Sequence, residues 1–150
     1  AIWQFCGERF APINHADRSW REALDRPGAC QMIHLRRLME SRPYFSRVRD
    51  PLLVASPNGE GARHLEATRD EHGRSAFIYL PQSEPVQVDL ARLSGERLDV
   101  WWYDPRTGVV TSQGSLPRVG LATFTPPSDG PDWVLVLDDS AQRFAPPGVR

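Results

Sequence analysis

The chain has 150 residues, with 18 basic and 19 acidic side chains and a net charge of -1. So even a balance leaves no electrostatic footprint for nucleic acid or an anionic membrane surface, and neither is expected as a partner. The length fits one domain with an appendage and is enough to bury a real core.

Every base is an arginine, which reads as a compositional bias rather than as chemistry. Cys6 and Cys30 are the only cysteines, and their spacing makes neither a metal site nor a redox motif. They could close one disulfide or remain two thiols, so the compartment stays open. No apolar run approaches the ~20 residues that span a bilayer. The opening "AIWQFCGERF" is apolar from the start and lacks the basic-then-apolar pattern of a signal peptide. It reads like the middle of a longer chain.

In chain order, residues 17–42 are helical in pattern. Ser19 followed by Glu22 has the form of a capping box, and Pro27 suits the first position of a second helix because no donor is needed there. In that second helix Ala29, Met32, Ile33, Leu35, Leu38 and Met39 cover well over half the circumference. A surface helix needs only one apolar stripe, so this one expects neighbours on several sides.

From about Pro51 the period changes to two. "HLEATR", "SAFIYL", "VQVDL", "LDVWWY", "GVVTS", "LATF" and "WVLVL" are short β-like runs separated by turn chemistry. Asp70 to Gly73 reads as a hairpin turn. In "DPRTG", Pro105 suits the second position of a type I turn and Gly108 the left-handed residue after it. About seven or eight strands at this rhythm predict a mostly β fold, an immunoglobulin-like antiparallel sandwich preceded by a short helical segment. The ending "DDSAQRFAPPGVR" has little to bury and reads as a flexible tail over 140–150.

Alternation along the strands sorts the aromatics. Leu98, Val100 and Trp102 share one face and suit the core, which leaves Trp101 and Tyr103 outside. Likewise Ala76, Ile78 and Leu80 point inward and Phe77 and Tyr79 outward, while Val86, Val88 and Leu90 point inward. If the first two strands share a sheet, Trp101, Tyr103, Phe77 and Tyr79 form one apolar patch on its outer face, and such a patch marks an interaction site. Sugar rings could stack there, since Trp and Tyr combine an apolar body with a polar tip. A helix or a neighbouring domain could equally pack there, and the over-hydrophobic helix favours that reading.

Other candidates carry less. His15, His34, His64 and His72 show no ligand spacing, so no metal is expected. His15 and Asp17 near Cys6 hint at nucleophilic chemistry that nothing orients. Asp129, Asp132, Asp138 and Asp139 read as solvated loop carboxylates, and Glu8, Glu22 and Glu40 define no acid/base pair. No phosphate loop or nucleophile elbow is present, and no catalytic residue or cofactor is assigned.

The stretches "WREALDRPGACQMIHLRRLMESRPY", "VDLARLSGERLDVWWYDPRTG" and "FTPPSDGPDWVLVLDD" resemble the C-terminal portion of a bacterial glycoside hydrolase family, the apiosidase-like enzymes. The resemblance runs from about Ile2 to Asp139 and is most specific at residues 27–32, 102–108 and 132–137. It implies a (β/α)8 barrel followed by a β-sandwich that carries a collagen-binding label. Residues 1–48 would be the end of the barrel, 49–139 the sandwich and 140–150 the tail. The barrel's catalytic carboxylates would lie upstream, so none is carried onto this chain and no catalytic activity of its own is expected. The resemblance implies an accessory role: contact with the missing barrel, with polysaccharide or collagen as further partners, in a secreted or periplasmic setting. No residue pattern that would grip a collagen triple helix is recognised.

Overall fold

The computed structural model describes residues 19–127 and 130–149; Cys6, Glu8, His15, Asp17 and Asp129 lie outside them. Among these described residues the fold is mostly β, with eight strands in two antiparallel sheets and few, short helices.

Among the described residues two α-helices come first, α1 (Trp20–Ala23) and α2 (Pro27–Glu40). The capping box forms as expected: Ser19 Oγ accepts from the Glu22 amide at 3.4 Å, and the Glu22 carboxylate accepts from the Ser19 amide at 3.2 Å. Pro27 opens α2.

The strands are β1 (Arg47–Arg49), β2 (Glu66–Asp70), β3 (Ser75–Leu80), β4 (Val86–Asp89), β5 (Arg97–Tyr103), β6 (Val110–Pro117), β7 (Leu121–Phe124) and β8 (Trp133–Asp139). Six form one sheet in the order β1-β2-β3-β8-β5-β6, and β4 pairs with β7 in the other. The seven β-like runs are β2 to β8. Only β1, a three-residue edge strand, lacks a period long enough to read.

The two sheets enclose one core. Ala76, Ile78 and Leu80 of β3, Leu98, Val100 and Trp102 of β5 and Leu135 and Leu137 of β8 meet Val86 and Val88 of β4 and Phe124 of β7. Trp102 and Trp133 pack edge to face, 6.4 Å between centroids. Alternation therefore assigned the inward faces correctly. A bulge where β6 meets β5, between the pairings Val100–Gly114 and Trp101–Ser112, leaves β5 itself in register, so its two faces stay distinct.

The β8 strand runs up the middle of the large sheet and is buried on both faces throughout. This overturns the reading of Asp138 and Asp139 as solvated loop carboxylates: both are buried. Their strand is covered by one sheet inside and by α2 and its flanking residues outside, which sequence alternation alone does not reveal.

The segment after β8, read as a flexible tail, makes contacts of its own. Phe144 lies 4.7 Å beneath the Arg42 guanidinium. Gly148 passes so close to Tyr103 that a Cβ there would sit 2.8 Å from the ring. No described helix is long and apolar enough to cross a membrane.

Candidate interface on the outer face of the sheet

The outer face of the six-stranded sheet carries the four aromatics singled out in the sequence. Strand β8 separates β3 from β5, and its Val134 and Val136 join Phe77 and Tyr103 in one apolar cluster. Cross-strand register sets two rows, Phe77–Val136–Trp101 and Tyr79–Val134–Tyr103. Aliphatic side chains of β8 thus stand between each pair of rings.

The helix α2 lies over these rows. Leu38 joins Phe77, Tyr103, Val134 and Val136 in a second buried cluster, with Met39, Trp101 and Val110 at its margin. Tyr103 is 1% exposed and Phe77 6%, while Trp101 is half-buried and Tyr79 remains 38% exposed. In this structure Tyr103 and Phe77 therefore offer no open ring face for stacking. The Tyr103 hydroxyl donates to the His34 carbonyl at 2.8 Å, anchoring the ring to the helix backbone. The Tyr79 hydroxyl donates to Asp132; burial, then this carboxylate, pushes the phenol up to about 12.

Two further contacts tie α2 to the sheet. After the helix ends, Arg42 turns inward and meets Asp138 of β8 in a bidentate pair, Nε to Oδ1 at 2.8 Å and Nη2 to Oδ2 at 2.6 Å. Both side chains are almost wholly buried. Arg42 Nη1 also donates to the Ser41 carbonyl at 2.7 Å. Burial pushes the Asp138 carboxyl up, and Arg42 opposes that shift.

The second contact is the β5–β6 turn. Gly108 donates to the Asp104 carbonyl at 2.7 Å and has φ 75°, as "DPRTG" predicted. A Cβ on Gly108 would sit 2.5 Å from His34 Nδ1, so glycine also lets the turn approach α2.

The remaining buried carboxylates among the described residues are engaged by arginines, serine hydroxyls or the local backbone. Asp70 accepts Arg74 Nε at 2.8 Å and Nη2 at 3.0 Å, and also accepts from Ser46. Arg74 leads the forces that hold its carboxyl well below the usual carboxylate range. Asp50 accepts Arg69 Nε at 2.6 Å and Arg92 Nε at 2.8 Å. Burial opposes its ionisation, and the two arginines outweigh burial. Asp104 takes Arg106 at 2.8 Å, and Asp139 takes the Ser94 hydroxyl at 2.9 Å. Among the described residues no group of three or more His, Cys, Asp or Glu could hold a metal ion, and Cys30 is an exposed free thiol.

A family model described as "Putative collagen-binding domain of a collagenase" matches residues 48–138. The chain belongs to this family. A second model, "Apiosidase-like, catalytic domain", matches residues 1–46, which contain α2. A solved structure titled "Glycoside hydrolase" is 31% identical with a TM-score of 0.81, over 91% of this chain and 31% of that one. A glycoside hydrolase family 5 protein from Bacteroides vulgatus ATCC 8482 is 32% identical with a TM-score of 0.79, over 89% of this chain and 29% of that one. The chain thus spans about a third of each relative's length or less. No curated protein matches it. The resemblance read from the sequence, to apiosidase-like glycoside hydrolases carrying a collagen-binding sandwich, is the one these matches show.

Sequence reasoning missed Arg42, Asp138 and Arg47 at this face. Arg42 follows a helix end where a basic residue ordinarily stays solvated, and 96 residues separate it from its partner. One signal was available. A charged residue on a strand otherwise as apolar as "WVLVL" calls for a buried counter-ion.

Proposed function

We propose that this chain is the C-terminal, non-catalytic part of a glycoside hydrolase, in which the sandwich supports the catalytic barrel by holding α2, one of the barrel's own helices. The observation that carries this reading is the seat of α2. The segment matched by the catalytic-domain model is fastened to the sandwich by Leu38, by the Tyr103–His34 hydrogen bond and by the buried Arg42–Asp138 pair. The apolar surface that α2 and its flanks leave bare agrees with this. Met32, Ile33 and Leu35 are exposed, as are Trp20, Tyr44 and, at 99%, Phe45. Such a concentration within one matched segment is what a cut through a larger body produces. The arginine partners of Asp50, Asp70, Asp104 and Asp138 also give those acids structural work rather than leaving a carboxylate pair poised over a cleft.

The test is hydrolysis. The 150-residue chain is assayed on a panel of aryl glycosides and polysaccharides beside the full-length gene product that carries it. Turnover by the full-length product alone supports the reading. Turnover by the 150-residue chain, abolished by a single Asp→Asn or Glu→Gln change within it, overturns it.

A second reading, binding of fibrillar collagen or polysaccharide, is favoured by the family's description and by the exposed aromatics Tyr79, Tyr44 and Phe45. Sedimentation with insoluble matrices tests it. Retention of the wild type that is lost in Tyr79→Ala or in Tyr44→Ala/Phe45→Ala supports ligand binding, and no retention on any matrix removes it.

A further inference from the structure

A groove of about 530 Å³ runs along the flank of α2, between that helix and strands β1, β2 and β3. Met32, Leu35 and Met39 form its helical wall, and Phe77 and Tyr79 lie along its sheet side. Arg47 of β1 lines it as well. Its guanidinium lies 3.8 Å from the Phe77 ring centroid, and Nη1 donates to Thr68 Oγ1 at 3.3 Å. Among the described residues Nε and Nη2 are buried without a hydrogen-bond partner.

The carboxylates around Arg47 are already engaged. Asp70 is held by Arg74, Asp138 by Arg42, and Glu66 at the groove's edge by Arg49 at 2.6 Å. Burial, reinforced by the like charge of Arg42, pushes the Arg47 guanidinium below its ordinary range. A half-buried cation without a counter-ion of its own is costly, and the exposed apolar wall beside it gains from being covered.

We infer that this groove seats a segment of the catalytic portion that precedes this chain, one that lays apolar side chains on Met32, Leu35 and Phe77 and brings a carboxylate to Arg47. The inference rests on the reading proposed above and makes it specific. Three observations carry it. One wall is α2, itself within the catalytic-domain match. The two solved relatives have about two thirds of their length outside the matched region. The groove pairs an apolar lining with a guanidinium that makes no ion pair among the described residues and is only partly offset by the more distant Asp70 and Asp138, which selects an occupant that is both apolar and acidic.

Maleimide labelling of thiols tests it in the full-length gene product and in the 150-residue chain. Leu35→Cys, in a background with Cys6 and Cys30 replaced by serine, reports on the groove. Native Cys30, exposed and about 140° around the helix from residue 35, reports on the other side of α2. Circular dichroism confirms the fold of each variant.

The thiol of the Leu35→Cys variant is expected to react about tenfold more slowly, or slower still, in the full-length product than in the 150-residue chain. Arg47→Glu should abolish that protection, and Arg47→Lys should keep it. Equal rates at position 35 in the two proteins overturn the inference. If Cys30 is then still protected in the full-length product, the broader reading survives, with the catalytic portion covering the other side of α2. If neither thiol is protected, or the gene product is no longer than this chain, both fail.

Discussion

Arg42 and Asp138 are the clearest case in which one residue pair sets the relation between two parts of the chain. The pair is bidentate and almost fully buried, so removing one member strands the other's charge in a place without water. Arg42→Met or Asp138→Leu alone is expected to cost about 3–5 kcal/mol. The double substitution should lie much closer to wild type than the sum, because apolar neighbours can fill the same space. Urea unfolding of the four proteins measures the coupling, and additive costs would contradict it. At Tyr103 the hydroxyl can be separated from the ring. Tyr103→Phe keeps the packing and should cost about 1 kcal/mol for the lost bond to His34, whereas Tyr103→Ala should cost about 3–5 kcal/mol through the cavity it leaves.

Asp70 supplies a pH dependence whose sign follows from its partners. Its folded-state carboxyl is held well below the unfolded value near 3.9. The stability it contributes is therefore fully present above about pH 4 and is lost as pH falls toward the folded-state value. Asp70→Asn should lower stability at pH 7 and flatten the acid limb of the stability profile. Urea midpoints at pH 7, 5 and 3 decide the matter. Parallel curves for wild type and variant would show that Asp70 is not what acid titrates.

At the scale of elements, what was legible followed from local rules. The capping box, Pro27 at the start of α2, the turn at Asp70 to Gly73 and the "DPRTG" turn all depend on residues within a few positions of each other. The inward faces of β3, β4 and β5 were legible because alternation is a property of one strand. Which strands are neighbours is not. The aromatics of β3 and β5 read as one outer-face patch if their strands share a sheet, but the pattern gave no sign that β8, joined to both by long-range pairing, lies between them and adds Val134 and Val136 to it. The cover supplied by α2 was legible only as a demand: too many apolar residues for one face. Gly108 connects these two levels, as a local turn residue that also admits α2. Gly108→Ala puts an L-residue at φ 75° at a cost of about 1–2 kcal/mol and drives a methyl into His34. Faster hydrogen exchange is expected at the α2 amides, with little change at β3 or β8. Uniform acceleration across the sheet would assign Gly108 to the sandwich alone.

For the whole molecule, the division suggested by the two family matches, 1–46 and 48–138, does not coincide with the packing. Leu38, Met39 and Arg42 belong to the catalytic-domain match by sequence but to the sandwich by contact. A protein trimmed to residues 47–150 would keep the inter-sheet core intact. It would uncover Phe77, Tyr103, Val134 and Val136 and leave Asp138 without Arg42. These are separate liabilities, one apolar and one electrostatic, and they predict different behaviour. The exposed cluster should bind a hydrophobic dye and promote self-association, as contiguous apolar patches do. Loss of the Arg42 partner should also lower stability, by less than the about 3–5 kcal/mol of a charge stranded in the interior, because removing the helix opens the Asp138 face to water. Adding Asp138→Leu to the trimmed protein should restore much of that stability while leaving dye binding undiminished. Sedimentation velocity, dye fluorescence and urea unfolding of the 150-residue chain, the trimmed protein and its Asp138→Leu variant read the two effects apart. A trimmed protein as stable and dye-silent as the full 150 residues would mean that α2 merely rests on the sandwich, and the buried pair would then have to be explained without the helix.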